Sequence, residues 1–207
     1  MKLTLLDCGV QAANCYCIQY SDTCCAFVDP GDRADLLLNY LEKNCLTLTH
    51  ILLTHGHFDH TGAVKELRAA TGCKVAIGAG NEIMLRDPVE SGVASFGIEN
   101  AERYQFEPDI LLKDGETLTL GETPIKIIGT PGHTRGDVCY LIEDMLLTGD
   151  TLFEGNCGRC DLPGGSWELM QLSLKKLKDL PGDYRILSGH GPETRLSIER
   201  KYNPYMA

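Results

Sequence analysis

Six consecutive residues, His55-Gly56-His57-Phe58-Asp59-His60, place three imidazoles and a carboxylate directly after the apolar run Ile51-Leu52-Leu53. Core packing does not call for that density of polar donors. Metal chelation does, because imidazole nitrogen and carboxylate oxygen are the ligands of zinc, iron and manganese. On an extended segment His55 and His57, two apart, turn to one side. Asp59 and His60 fall where the chain enters a helical pattern, and they aim at a neighbouring position. One loop thus begins two adjacent metal sites, and each lacks ligands. Three glycine-flanked groups downstream can supply them: Gly132-His133, Gly149-Asp150 and Gly189-His190. His133 completes a three-histidine site, His190 adds a second imidazole to the other, and Asp150 bridges. His50 lies outside the spaced cluster and reads as a structural or surface histidine.

Such a loop needs a sheet edge to carry it, and the rest of the chain predicts one. Leu3–Leu6, Tyr16–Ile18 and Cys25–Asp29 read as strands, the last closed by Pro30-Gly31. Asp32 is placed to cap a helix over Arg33–Lys43. A buried strand over Leu46–Leu53 runs through the histidine loop into a helix over Gly62–Ala70, and Lys74–Ile77 is the next strand. Residues 79–113 are less periodic and predict a short helix and a loop excursion. Strands return at Thr117–Leu120, Ile125–Gly129, Asp137–Ile142 and Met145–Leu147. An amphipathic helix over 166–178 starts at Ser166, a last strand covers Arg185–Leu187, and a closing helix covers 193–201. That order fits two sheets with helices on their outer faces, a four-layer α/β-β/α sandwich.

The 207 residues, 43% apolar with a mean hydropathy of -0.12, suffice for one substantial core and a single domain over 1–207. A net charge of -10 disfavours nucleic acid as a partner. No run of eighteen apolar residues predicts a membrane span, and the apolar run near Met1 is too short for a signal-peptide core. The ten cysteines, Cys8 among them, are therefore read as reduced thiols in a cytoplasmic protein. Cys157 and Cys160 form a CxxC spacing with no partner pair, and they read as structural thiols. Between them Arg159 offers a guanidinium to a substrate carboxylate.

The motifs HGHFDH at 55–60, TPGHT at 130–134, TGDTLF at 148–153 and SGHGP at 188–192 resemble, in type and order, those of metallo-β-lactamase-fold hydrolases. The glyoxalase II-like (hydroxyacylglutathione hydrolase-like) branch is the nearer likeness. The resemblance implies the metallo-β-lactamase fold and two divalent ions, zinc foremost, with iron or manganese as alternatives. It puts His55, His57 and His133 on the first ion, Asp59, His60 and His190 on the second, and Asp150 on both. The implied activity is hydrolysis of a small-molecule thioester such as hydroxyacylglutathione by a metal-bridging hydroxide whose proton Asp59 handles. Arg159 matches a basic residue that contacts the glutathione moiety; Tyr140 has a weaker claim on the substrate, with core packing the favoured role. Seventeen residues follow His190, too few for the C-terminal helical domain of full glyoxalase II proteins, so a short form is implied. A mono-iron persulfide dioxygenase-like enzyme, with His55, His133 and Asp150 around the iron, is the alternative. A lactamase is disfavoured because Asp150 stands where cysteine is usual. A non-catalytic metal-binding or partner-docking domain is disfavoured because all seven expected ligands are present.

Overall fold

Alternation along the strands divides the apolar residues among three layers. The computed structural model describes residues 1–7 and 13–206, and Cys8 lies outside them. One six-stranded sheet has the order β1 (Lys2–Leu6), β2 (Cys15–Gln19), β3 (Cys24–Val28), β4 (Thr47–Leu53), β5 (Lys74–Gly78), β6 (Ile110–Leu112). Its first three strands are antiparallel, and β3 to β6 run parallel. The second sheet has the order β14 (Thr194–Arg195), β13 (Arg185–Ser188), β10 (Met145–Gly149), β9 (Val138–Ile142), β8 (Thr123–Gly129), β7 (Thr117–Leu120). A small hairpin, β11 (Leu152–Phe153) with β12 (Asn156–Cys157), stands apart.

Ile51 and Leu53 of β4 face outward, onto Leu37 and Leu41 of helix α1 (Ala34–Lys43) and Leu67 of α3 (Val64–Thr71). Leu52 between them faces inward and meets Ile127, Tyr140 and Leu147 of the second sheet. Ile128, next to Ile127, faces the other way, onto Met170, Leu174 and Leu177 of α4 (Trp167–Lys178) and Leu196 of α5 (Leu196–Tyr202). A period of two on each strand thus supplies both faces of both sheets, and the four-layer α/β-β/α sandwich is what buries them all.

Local departures from the sequence reading have identifiable causes. Asp32 does not cap α1. Arg33 occupies that position in the left-handed region (φ 50°), and Asp32 instead accepts a hydrogen bond from Arg103 at 2.7 Å. The helix expected from Gly62 is preceded by a separate short one, α2 (Phe58–Thr61). The excursion after β5 folds into turns and a 3-10 segment at Ala101–Tyr104, and it ends in β6, whose three residues are too few to show a period. Ser166 caps α4 as expected, accepting from the Leu169 N–H.

Tyr140 corrects a site expectation. On β9 its alternation turns it into the layer between the sheets, where it is fully buried and its hydroxyl donates to the Leu53 carbonyl at 2.6 Å. It does not line the cavity described below.

Candidate metal centre

Strands β3 and β4 run parallel, and in the second sheet β8, β10 and β13 share one direction. The ends of these strands lead into the segments bearing Asp29, His55, His133, Asp150 and His190. Hydrogen bonds sew the two sheets together at this edge. Val138 N–H donates to Thr54 O (3.0 Å), Asn14 N–H to Gly189 O (2.7 Å), and the Tyr16 hydroxyl to Ser188 O (2.8 Å). A rigid two-sheet frame therefore gathers these segments at one edge.

The structure brings all seven expected ligands together. His57 Nδ1 lies 2.9 Å from His133 Nε2, and the His55 ring centroid is 4.9 Å from that of each. His60 Nε2 and His190 Nε2 are 3.3 Å apart, with Asp59 Oδ2 3.3 Å from His190 Nε2. Asp150 stands between the groups: Oδ1 is 3.5 Å from His60 Nε2, while Oδ2 is 3.5 Å from His133 Nε2 and 3.6 Å from His190 Nε2. Ligand nitrogens about 2.0–2.1 Å from one tetrahedral ion are separated by roughly 3.4 Å, so these spacings suit ligand pairs converging on ions. Buried atoms without a hydrogen-bond partner support the fit, for His55 Nε2 and Asp150 Oδ1 are among them. Buried polar atoms rarely go unsatisfied, and a cation satisfies lone pairs. The donor set fits a dinuclear metal site.

Neighbouring groups set the imidazoles in place. His133 Nδ1–H donates to the Arg159 carbonyl at 2.7 Å, which leaves Nε2 as the free lone pair. His60 Nδ1–H donates to Asp29 Oδ2 at 3.0 Å. Thr54 Oγ1 donates to the same Asp29 oxygen at 2.6 Å and lies 3.1 Å from His55 Nδ1, where it can accept. The Thr54 N–H binds the other carboxylate oxygen at 2.8 Å. Asp29 is thus the anchor of two metal-directed imidazoles, and the sequence reading assigned it no role. Its one signal was position, an aspartate at the end of a buried strand before Pro30-Gly31.

Charge in the cluster is polarised. Burial and the neighbouring His133 push His57 down to about 3, and burial with His60 beside it lowers His55 strongly. Burial also disfavours charge on His60, but Asp150, Asp59 and Asp29 around it push its pKa up to about 10. Burial works against the Asp59 carboxylate too, yet His60 and His190 hold it well below the ordinary range. His55 and His57 are therefore held neutral, with their lone pairs open to a cation, while the carboxylate of Asp59 stays ionised.

The cavity over the cluster measures about 270 Å³ and is walled by Phe58, Phe96, Phe153, Leu162 and Arg159. Arg159 reaches it, but both oxygens of Asp161 hold its guanidinium, at 2.6 and 2.7 Å. Cys157 and Cys160 pack against the outer core of the second sheet, and burial pushes each thiol up to about 11, which suits structural thiols. His50 stays out of the cluster on β4, its Nδ1 3.0 Å from Thr49 Oγ1. Among the described residues no helix is long and apolar enough to cross a membrane.

Comparison with known proteins agrees with this geometry. Residues 8–190 match the family model of the metallo-beta-lactamase superfamily. The hydroxyacylglutathione hydrolase GloC of Haemophilus influenzae is 32% identical over 210 residues, covering 100% of this chain and 98% of that protein. The crystal structure of the B3 metallo-beta-lactamase BLEG-1 superposes with a TM-score of 0.91 at 33% identity, with 100% of each chain covered. That of TTHA1623 in a di-iron-bound form gives 0.86 at 31%, covering 98% of this chain and 99% of the other. Motifs, sheet order and ligand geometry converge with these matches: the chain belongs to the metallo-beta-lactamase superfamily, whose fold it has.

Proposed function

We propose that this metallo-hydrolase cleaves small-molecule thioesters in the cytoplasm, glutathione-derived ones among them, at a centre of two divalent ions with zinc in first place and iron or manganese as alternatives. The carrying observation is Asp150, whose two oxygens face His60 on one side and His133 on the other. The likeness to a hydroxyacylglutathione hydrolase supports the thioester. Buried cysteines such as Cys17, Cys25, Cys73 and Cys139 support a reducing compartment.

His55, His57 and His133 would hold one ion, Asp59, His60 and His190 the other, with Asp150 shared. Bound there, divalent ions supply Lewis-acid polarisation and water of lowered pKa. The chain's own groups do the rest. Asp59, at the cavity wall and kept ionised by His60, accepts a hydrogen bond from the attacking water and orients its oxygen while the proton leaves. Water oxygen bonds to the acyl carbon, the C–S bond breaks with its electron pair on sulfur, and the proton ends on the thiolate. Thiolate is a good leaving group, so no strong general acid is needed. Phe58, Phe96 and Phe153 give the reacting carbon apolar walls.

Elemental analysis of freshly purified protein, with assays on S-D-lactoylglutathione and simpler thioesters, tests this reading. Two metals per chain and thioester turnover are expected, and Asp59→Ala is expected to lose both metal and rate while keeping its sheets. One iron per chain with persulfide-dependent oxygen uptake would overturn the reading, as would an Asp59→Ala enzyme with full metal and an unaltered rate.

A further inference from the structure

The walls of the cavity differ in character from its floor. Histidines and aspartates form the floor, but Phe58, Phe96, Phe153 and Leu162 make much of the wall, and Arg159 is the cation among the lining residues. Phe58 is buried in a small cluster with Val93 and Tyr104, so its ring is fixed. Phe96, from the excursion after β5, rests on it at 5.4 Å between ring centroids while staying 45% exposed. Phe153 stands edge-on to His190 at 6.1 Å. Two anchored aromatic walls thus flank the ion-binding floor.

Arg159 gives little to an anion. One edge of its fork, Nε and Nη2, is taken by both oxygens of Asp161, and the pair is well exposed. A substrate carboxylate would meet only the remaining edge of an exposed guanidinium whose charge Asp161 already offsets, and an exposed ion pair is worth little. An apolar group laid on Phe58 and Phe96 gains from leaving water.

Resting on the thioesterase reading, we infer that the cavity selects its substrate by a short apolar acyl chain seated against Phe58 and Phe96. The larger thiol half passes Arg159–Asp161 into solvent and contributes little to recognition. The acyl group then defines the substrate class, and the same acyl on different thiols is accepted at similar rates.

The test is a matched series of acetyl, propionyl, butyryl and lactoyl thioesters on N-acetylcysteamine, an uncharged thiol, and on glutathione, with the metal-loaded enzyme. The expected kcat/KM rises with each methylene up to butyryl by about 2- to 4-fold, the upper figure being the full burial of one CH2 group. Glutathione and N-acetylcysteamine esters of one acyl group are expected within about 3-fold of each other. Phe96→Ala is expected to pull the butyryl-to-acetyl ratio towards one. Asp161→Asn, which frees Arg159, is expected to raise the glutathione-to-cysteamine ratio and leave the acyl slope as it was. A flat acyl series, a preference for lactoyl, or a rate set by the glutathione carboxylates overturns the inference while leaving the hydrolase reading intact. Absence of turnover on every thioester overturns the thioesterase reading instead. Calorimetric binding of the S-ethyl to S-butyl thioethers of N-acetylcysteamine then judges the cavity alone: affinity that climbs with chain length upholds it, and equal affinities sink it.

Discussion

His60 Nδ1 donates to Asp29 Oδ2 across 3.0 Å, joining the histidine loop to the end of a strand thirty-one residues earlier. Asp29 is 2% exposed and receives the Thr54 hydroxyl on the same oxygen, so one carboxylate orders both halves of the cluster. Asp29→Ala is expected to weaken metal binding by about 10- to 100-fold, the usual cost of losing a residue that orients a ligand. Competition with a chromophoric chelator measures it, and unchanged affinity would show that packing alone orients His60.

Gly189 approaches the cluster more closely than any larger residue can. A Cβ there would overlap Asp150 Oδ1 and stand 2.8 Å from His60 Cε1. Gly189→Ala is expected to displace both side chains, with metal content per chain falling by half or more while the far-ultraviolet circular dichroism is retained. Wild-type metal content in this variant would mean that the loop yields more easily than its hydrogen bonds to Asn14 and Gly149 suggest.

Asp137 makes stability depend on pH. Burial pushes its carboxyl up to about 6, although the Thr134 N–H donates to it at 2.7 Å and His133 lies nearby. A carboxyl raised by folding adds stability while protonated. That contribution is complete below its ordinary value near 4 and is lost as pH rises through about 6. In metal-stripped protein, Asp137→Asn should therefore gain on wild type between pH 4 and 7, by up to roughly 3 kcal/mol. Urea midpoints for both proteins at each pH decide the matter; a constant difference would count against a raised Asp137.

Glu199 ties the closing helix to the cavity wall. Its buried carboxylate accepts from Gly155 N–H (2.8 Å), the Thr194 hydroxyl (2.7 Å) and the Asn203 amide (2.9 Å), beside the hairpin that carries Phe153. Glu199→Ala strands the Gly155 N–H and the Thr194 hydroxyl, each costing about 1–3 kcal/mol if left unpaired, while the Asn203 amide keeps the Phe153 and Asn156 carbonyls. A loss of roughly 2 kcal/mol or more is expected in urea denaturation, together with faster hydrogen exchange at Gly155. A loss below about 1 kcal/mol would mean that water replaces the carboxylate.

The metal ligands were legible in the sequence because they are a chemical statement that needs no contacts: three imidazoles and a carboxylate in six residues, then three glycine-flanked partners. The four layers were legible because a strand shows its two faces in its own period, as Ile51, Leu52 and Leu53 do. Tertiary structure alone decided what depends on pairs distant in sequence. Asp29 and Glu199 are ordinary acidic residues until the fold brings Thr54 and His60 to the first and Gly155 to the second. Tyr140 looked available to a substrate, and burial between the sheets removes it; Arg159 does line the cavity, with one edge of its guanidinium on Asp161. A sequence specifies which groups are present and their local spacing, whereas orientation, tautomer and the apolar walls of the cavity arise only when separate strands close on one edge.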